Sequence, residues 1–132
     1  MKIMALDFGS ARTGVAVSDP TGIVARPLGV VERAAGEAGL AEVVRLAREQ
    51  AVEEVVVGHP LTLRGERGEQ AKAAERFAKA LRAAVEVPVV LFDERFTTDL
   101  AQQTSSASSE DARAAAHLLS SYLEWSGSSR RS

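Results

Sequence analysis

Residues 2–19 read Lys2-Ile3-Met4-Ala5-Leu6-Asp7-Phe8-Gly9-Ser10-Ala11-Arg12-Thr13-Gly14-Val15-Ala16-Val17-Ser18-Asp19, and the rest of the chain can be organised around them. A short apolar run ends in an acid at Asp7, which is the pattern of a buried strand. Gly9, Ser10 and Gly14 supply turn chemistry. Val15 to Asp19 alternates and is β-branched, so a second strand follows, closed by Pro20 and Gly22. Residues 23–32 supply a third. Strands this close together, joined by short turns, form an antiparallel meander.

Beyond residue 36 the period changes. Leu40, Val43, Val44 and Ala47 fall at helical spacing over residues 37–51. Val55-Val56-Val57 is wholly apolar and stopped by Gly58 and Pro60, as a buried parallel strand would be. Gly65 and Gly68 mark a loop over 62–68. Residues 69–85 carry one apolar stripe of Ala74, Phe77, Ala78 and Leu81, hence a helix. Pro88 opens a strand, Val89 to Phe92, that ends at Asp93-Glu94. A short helix is expected over Thr98–Gln103, and a Ser-rich loop over 104–109 whose Ser109 would cap a last helix. Leu118, Leu119, Tyr122 and Leu123 give that helix its apolar face. The tail from Ser126 to Ser132 is expected to be disordered. The order β-β-β-α-β-α-β-α-α predicts an α/β fold: a five-stranded mixed sheet, three-strand antiparallel meander plus two parallel strands, flanked by helices.

Composition narrows the chemistry. The chain has 132 residues and 45% hydrophobic content, enough for one domain with a core of its own. There is no cysteine, so disulfides and thiolate metal sites are excluded, and two histidines make an imidazole zinc site a poor expectation. Any metal would rest on carboxylates, which favours hard cations such as Mg²⁺ or Mn²⁺. The first residues lack the length of a signal peptide, and no stretch approaches the roughly 18 apolar residues of a membrane span. The expectation is a cytoplasmic protein with no membrane association. A net charge of −2 argues against a strong non-specific nucleic-acid binder, but not against an enzyme with locally clustered basic residues.

Three acids are candidates for chemistry. Asp7 ends the first strand, Glu94 follows the last, and Asp111 opens the last helix. Ligands of open sheets gather beyond the carboxyl ends of the strands. Carboxylates converging there repel, and divalent cations neutralise them. Taken singly, each acid also has a plain structural explanation, as a turn residue, a surface ion pair or a helix-start charge.

The four segments Leu6–Asp19, Val56–Gly65, Asp93–Thr98 and Asp111–Ala115 with Leu118-Leu119 and Tyr122-Leu123 resemble, in order, the motifs of the YqgF (RuvX-like) family of pre-16S rRNA nucleases. The resemblance covers about residues 2–124. It implies a ribonuclease-H-like nuclease domain over 1–125, acting in 5′-end maturation of pre-16S rRNA. It places Asp7, Glu94 and Asp111 on the catalytic, metal-holding positions, with Mg²⁺ or Mn²⁺ as cofactor. Arg12, Arg64, Arg67 and Arg95 are the candidate nucleic-acid contacts, with precursor rRNA or branched DNA as partner and a monomer or homodimer as the working form. His59 shows no acid–base partner in the sequence and reads as structural; Trp125 reads as packing. One departure stands out: between Thr98 and Asp111 the family carries a longer segment rich in Lys and Arg, here short, Ser-rich and without a basic residue. Three alternatives follow: Holliday junction resolution on DNA, which demands a dimer; a catalytically weak RNA- or ribosome-associated binding protein; and a nucleotide-binding module, since an Asp-Phe-Gly turn between strands also resembles the phosphate loop of actin-like ATPases.

Overall fold

The computed structural model describes residues 1–96 and 110–131. Its elements are β1 (Ile3–Asp7), β2 (Arg12–Ser18), β3 (Ala25–Glu32), α1 (Glu37–Glu49), β4 (Glu54–His59), α2 (Glu69–Ala84), β5 (Val89–Asp93), a single 3₁₀ turn (Glu94–Phe96) and α3 (Glu110–Arg131). The five strands form one sheet in the order β3-β2-β1-β4-β5. β1–β2 and β2–β3 are antiparallel, whereas β1–β4 and β4–β5 are parallel, so the meander and the two parallel strands are present as expected. The expected helix over Thr98–Gln103, the Ser-rich segment and the Ser109 cap lie outside the described residues.

Alternation along each strand divides the core in two. Met4, Leu6, Val15, Val55 and Val57 face α1 and α2, where they meet Val43, Ala74, Phe77 and Leu81. Ile3, Ala5, Ala16, Val56 and Phe92 face α3, against Ala115, Leu118, Leu119 and Tyr122. The all-apolar run in β4 follows directly, because both of its faces are covered. Leu118 and Leu119 are at most 2% exposed, and burial on that scale is worth about 1.5–3 kcal/mol for each side chain. They fasten α3 across the sheet, and its first turn thereby arrives beside the carboxyl end of β1.

The last helix, α3, is assigned from Glu110 to Arg131. Ser126 is buried, and its hydroxyl donates to the Leu123 carbonyl at 3.3 Å. Trp125 packs on Phe92 and Tyr122 with ring centroids 5.7 and 5.9 Å away. Extending an existing helix avoids the nucleation cost, so serines and a glycine that would not start a helix can still prolong one.

A candidate acidic site at the carboxyl edge of the sheet

Asp7 is the last residue of β1, on the face that carries Ile3 and Ala5 toward α3. Its cross-strand partner in β2 is Gly14. A Cβ at Gly14 would fall on the backbone carbonyl of Asp111, so the missing side chain is what lets the first turn of α3 close onto the sheet. Asp111 is thereby brought within electrostatic reach of Asp7. Glu94 arrives from the other side, from the 3₁₀ turn after β5, and its carboxyl hydrogen-bonds that of Asp7.

The electrostatics follow from this crowding. Burial raises the pKa of Glu94 first, and the neighbouring charge of Asp7 and the hydrogen bond between them push it up to about 7. Asp7 is raised by burial and by Asp111, while the hydrogen bond that Glu94 gives it works in the opposite direction. Their hydrogen bond raises Glu94 and lowers Asp7, so Glu94 is the donor and Asp7 the acceptor. Asp111 is turned to a cation: Nε of Arg12 lies 3.3 Å from its carboxylate. Among the described residues no three acidic or histidine side chains form a ready metal-ligating group. The sequence-selected acids are thus arranged as a tight pair, Asp7–Glu94, with Asp111 held beside it by Arg12.

The basic candidates separate. Arg12 is largely exposed next to the acids. Arg64 is exposed in the loop after β4. Arg67 is bound to Glu75 of α2, with Nε 2.8 Å from the carboxylate. Arg95 does not orient Glu94: its backbone and guanidinium N–H groups bind Asp93 at 2.6–3.1 Å, and Nη1 reaches the Leu63 carbonyl at 3.4 Å. Within Asp93-Glu94-Arg95 it is Asp93 that takes the ion pair, which leaves Glu94 to Asp7. The Arg95 contact holds Asp93 below the usual carboxylate range.

His59 has the partner that the sequence does not reveal. Its Nε2 lies 2.7 Å from Glu75, which Arg67 also binds, and these two contacts depress the Glu75 pKa. The signal is available only as helical phase, since Glu75 lies on the α2 turn between Ala71 and Ala78. The three side chains tie the loop after β4 to α2. The acids whose pKa values are raised are a different pair, Asp7 and Glu94.

Comparison with known proteins places the fold and the family. The chain matches the family model RuvX, described as Holliday junction resolvase, over residues 1–125. A protein of Chloroflexus aurantiacus (strain J-10-fl) named "Putative pre-16S rRNA nuclease" is 48% identical over 101 residues, covering 76% of this chain and 66% of that one. One of the same name from Anaeromyxobacter sp. (strain Fw109-5) is 41% identical over 133 positions, covering 94% of this chain and 97% of that one. The match to the Chloroflexus relative thus spans just under two thirds of its length. Among solved structures, Thermus thermophilus RuvC in complex with Holliday junction substrate aligns over 96% of both chains at a TM-score of 0.62 and 18% identity. The fowlpox virus Holliday junction resolvase aligns over 95% of this chain and 99% of that one, with a TM-score of 0.54 and 14% identity. These two likenesses establish the fold, which is ribonuclease-H-like as the sequence led one to expect. Together with the family match over nearly its whole length, they leave one assignment: the chain belongs to the RuvX family.

Proposed function

We propose that this chain is a divalent-metal-dependent endonuclease that hydrolyses phosphodiester bonds in the 5′-end maturation of pre-16S rRNA, as a single cytoplasmic domain spanning residues 1–125. The observation that carries the reading is the half-buried Asp7–Glu94 pair at the carboxyl edge of the sheet, with Asp111 within electrostatic reach. Two half-buried acids in contact, with a third paired to an exposed arginine, are a donor set short of positive charge. The set fits Mg²⁺ or Mn²⁺, which take carboxylate oxygens, and Asp7, Glu94 and Asp111 would hold the ion. When bound, such an ion polarises the phosphodiester and lowers the pKa of the attacking water.

The chain's own residues supply the rest. The hydrogen bond from Glu94 favours the ionised form of Asp7. Arg12 keeps Asp111 oriented while presenting donors at the mouth of the site, where a phosphate oxygen would accept them. Arg64 offers a second exposed cation on the adjoining loop. Arg67 and Arg95 are engaged by Glu75 and Asp93, so their part in binding nucleic acid would be to shape the loop that carries Arg64.

A second reading is junction resolution on branched DNA, favoured by the description of the family model. It requires a homodimer presenting two acidic sites, whereas the rRNA reading is met by a monomer. One experiment addresses both: cleavage assays in Mg²⁺ and in Mn²⁺, offering precursor 16S rRNA and four-way junction DNA side by side. Cleavage of precursor rRNA is expected, and it is expected to vanish in Asp7→Asn with the fold retained. Cleavage by Asp7→Asn at the wild-type rate would remove the assignment.

A further inference from the structure

Gly58 lies inside β4, is buried, and has an ordinary extended backbone. The positive φ values among the described glycines belong to Gly22 and Gly65. Conformational freedom therefore does not explain it. A glycine inside a strand weakens the strand, and its usual justification is that something must come close to the backbone.

The sheet order shows what comes close. β4 runs between β1 and β5. In register, Leu6 pairs with Val57 and Gly58 with Phe92, so position 58 stands between the end of β1, where Asp7 sits, and the end of β5, from which Glu94 departs. Neighbouring strands are about 4.8 Å apart, so the two acids start from backbones separated by two such spacings. Position 58 shares the phase of Val56, hence the α3 face on which Asp7 also lies. Any side chain there would stand between the acids. A Cβ at 58 would lie 2.6 Å from Oε1 of Glu94, 3.1 Å from its Cδ and 3.2 Å from its Cγ. All three atoms belong to one flexible side chain, so an added methyl is met by moving Glu94 and leaves the sheet in place.

We propose that Gly58 is a positioning residue: its missing side chain is the socket through which Glu94 crosses β4 to reach Asp7. This rests on the nuclease reading for its consequence, though the socket itself is a matter of geometry. The same geometry accounts for the longer acid at 94. Aspartate, one methylene shorter, would end over the socket and fall short of β1.

Two measurements test it. The first is a pair of crystal structures, metal-free wild type and Gly58→Ala. The expected result is an unchanged β4 and β5 with the Glu94 carboxyl withdrawn from Asp7. A Glu94 that still contacts Asp7 in the Gly58→Ala structure overturns the proposal. The second is Mn²⁺ titration followed by electron paramagnetic resonance, with steady-state cleavage alongside. Gly58→Ala is expected to bind Mn²⁺ at least about tenfold more weakly, in line with the loss seen when the shell around a metal ligand is disturbed. Its kcat is expected to fall while KM for the nucleic acid stays put. In a Glu94→Ala background the same substitution is expected to change Mn²⁺ affinity no further; an undiminished effect there assigns the loss to something other than Glu94 and also overturns the proposal. If the wild type binds no Mn²⁺, the nuclease reading falls, and the two crystal structures still decide whether the socket exists.

Discussion

Replacing Glu94 by Gln should make the metal-free protein more stable above neutral pH while removing its activity. Gln is nearly isosteric and can still donate to Asp7 through its amide, so the contact survives and only the titration is lost. Glu94 has a folded pKa of about 7 against 4.5 for the free side chain. The folded state therefore holds this proton more tightly than the unfolded one. The stability this gives is fully present below pH about 4.5 and is lost as pH rises through 7. Above pH 7 the wild type must keep an ionised Glu94 in a half-buried place beside Asp7. At about 1.4 kcal/mol per pKa unit the shift amounts to about 3 kcal/mol. Glu94 keeps part of its surface in solvent, where charge is screened, and about 1–2 kcal/mol is the better expectation. For a chain of this length that is a rise of roughly 3–8 °C in Tm.

The assay is thermal denaturation in EDTA at pH 8 and at pH 5, wild type beside Glu94→Gln. The variant should melt higher at pH 8, and most of the gap should close at pH 5, where the wild-type carboxyl is protonated in the folded state. A variant no more stable than wild type at pH 8, or one stabilised equally at both pH values, would refute the reasoning. The first result would mean that the pair is not electrostatically strained. The second would mean that the gain comes from packing.

Two further outcomes are expected. Arg12→Ala removes the cation beside Asp111 and a donor for the phosphate; with a charge-assisted hydrogen bond worth about 1.5–3 kcal/mol, KM for the nucleic acid should rise at least about tenfold in steady-state assays, and its salt dependence should weaken. Gly14→Ala places a methyl on the Asp111 carbonyl, which is backbone and cannot swing aside; urea denaturation should show a loss of about 1–3 kcal/mol, and cleavage should fall with it as Asp111 moves.

How far the sequence can be read depends on whether a feature is local. Val55-Val56-Val57 announces a strand covered on both faces, and Ala74, Phe77, Ala78 and Leu81 announce the inner face of α2, because periodicity reports burial directly. The carboxyl-end positions of Asp7 and Glu94 are legible for the same reason. Their contact is not, since it depends on which strand lies between them, and strand order is set by long-range pairing. Gly58 reads as a strand stop when it is part of the strand. His59 reads as unpartnered because Glu75 lies sixteen residues away across a loop and a helix turn.

The two glycines that border Asp7 suggest why the acidic site takes this form. Asp7 lies between Gly14 on β2 and Gly58 on β4, and each admits a different visitor: a helix backbone at Gly14, a long carboxylate side chain at Gly58. Both openings lie on the α3 face, at the end of the sheet where the parallel strands finish. The opposite face at the same edge is closed by Phe8 stacked on Phe77, with ring centroids 4.6 Å apart, and by the His59–Glu75–Arg67 contacts. One face of the edge is thus fastened, and on the other the two strand positions flanking Asp7 carry no side chain. The first turn of α3 and the Glu94 side chain can approach Asp7 there only because two positions contribute none of their own bulk. Burial and the neighbouring charge of Asp7 push the Glu94 pKa up to about 7. A cation entering the site would meet its largest change in charge at that residue, so the stability gained on adding Mn²⁺ at pH 8 should be greater for the wild type than for Glu94→Gln.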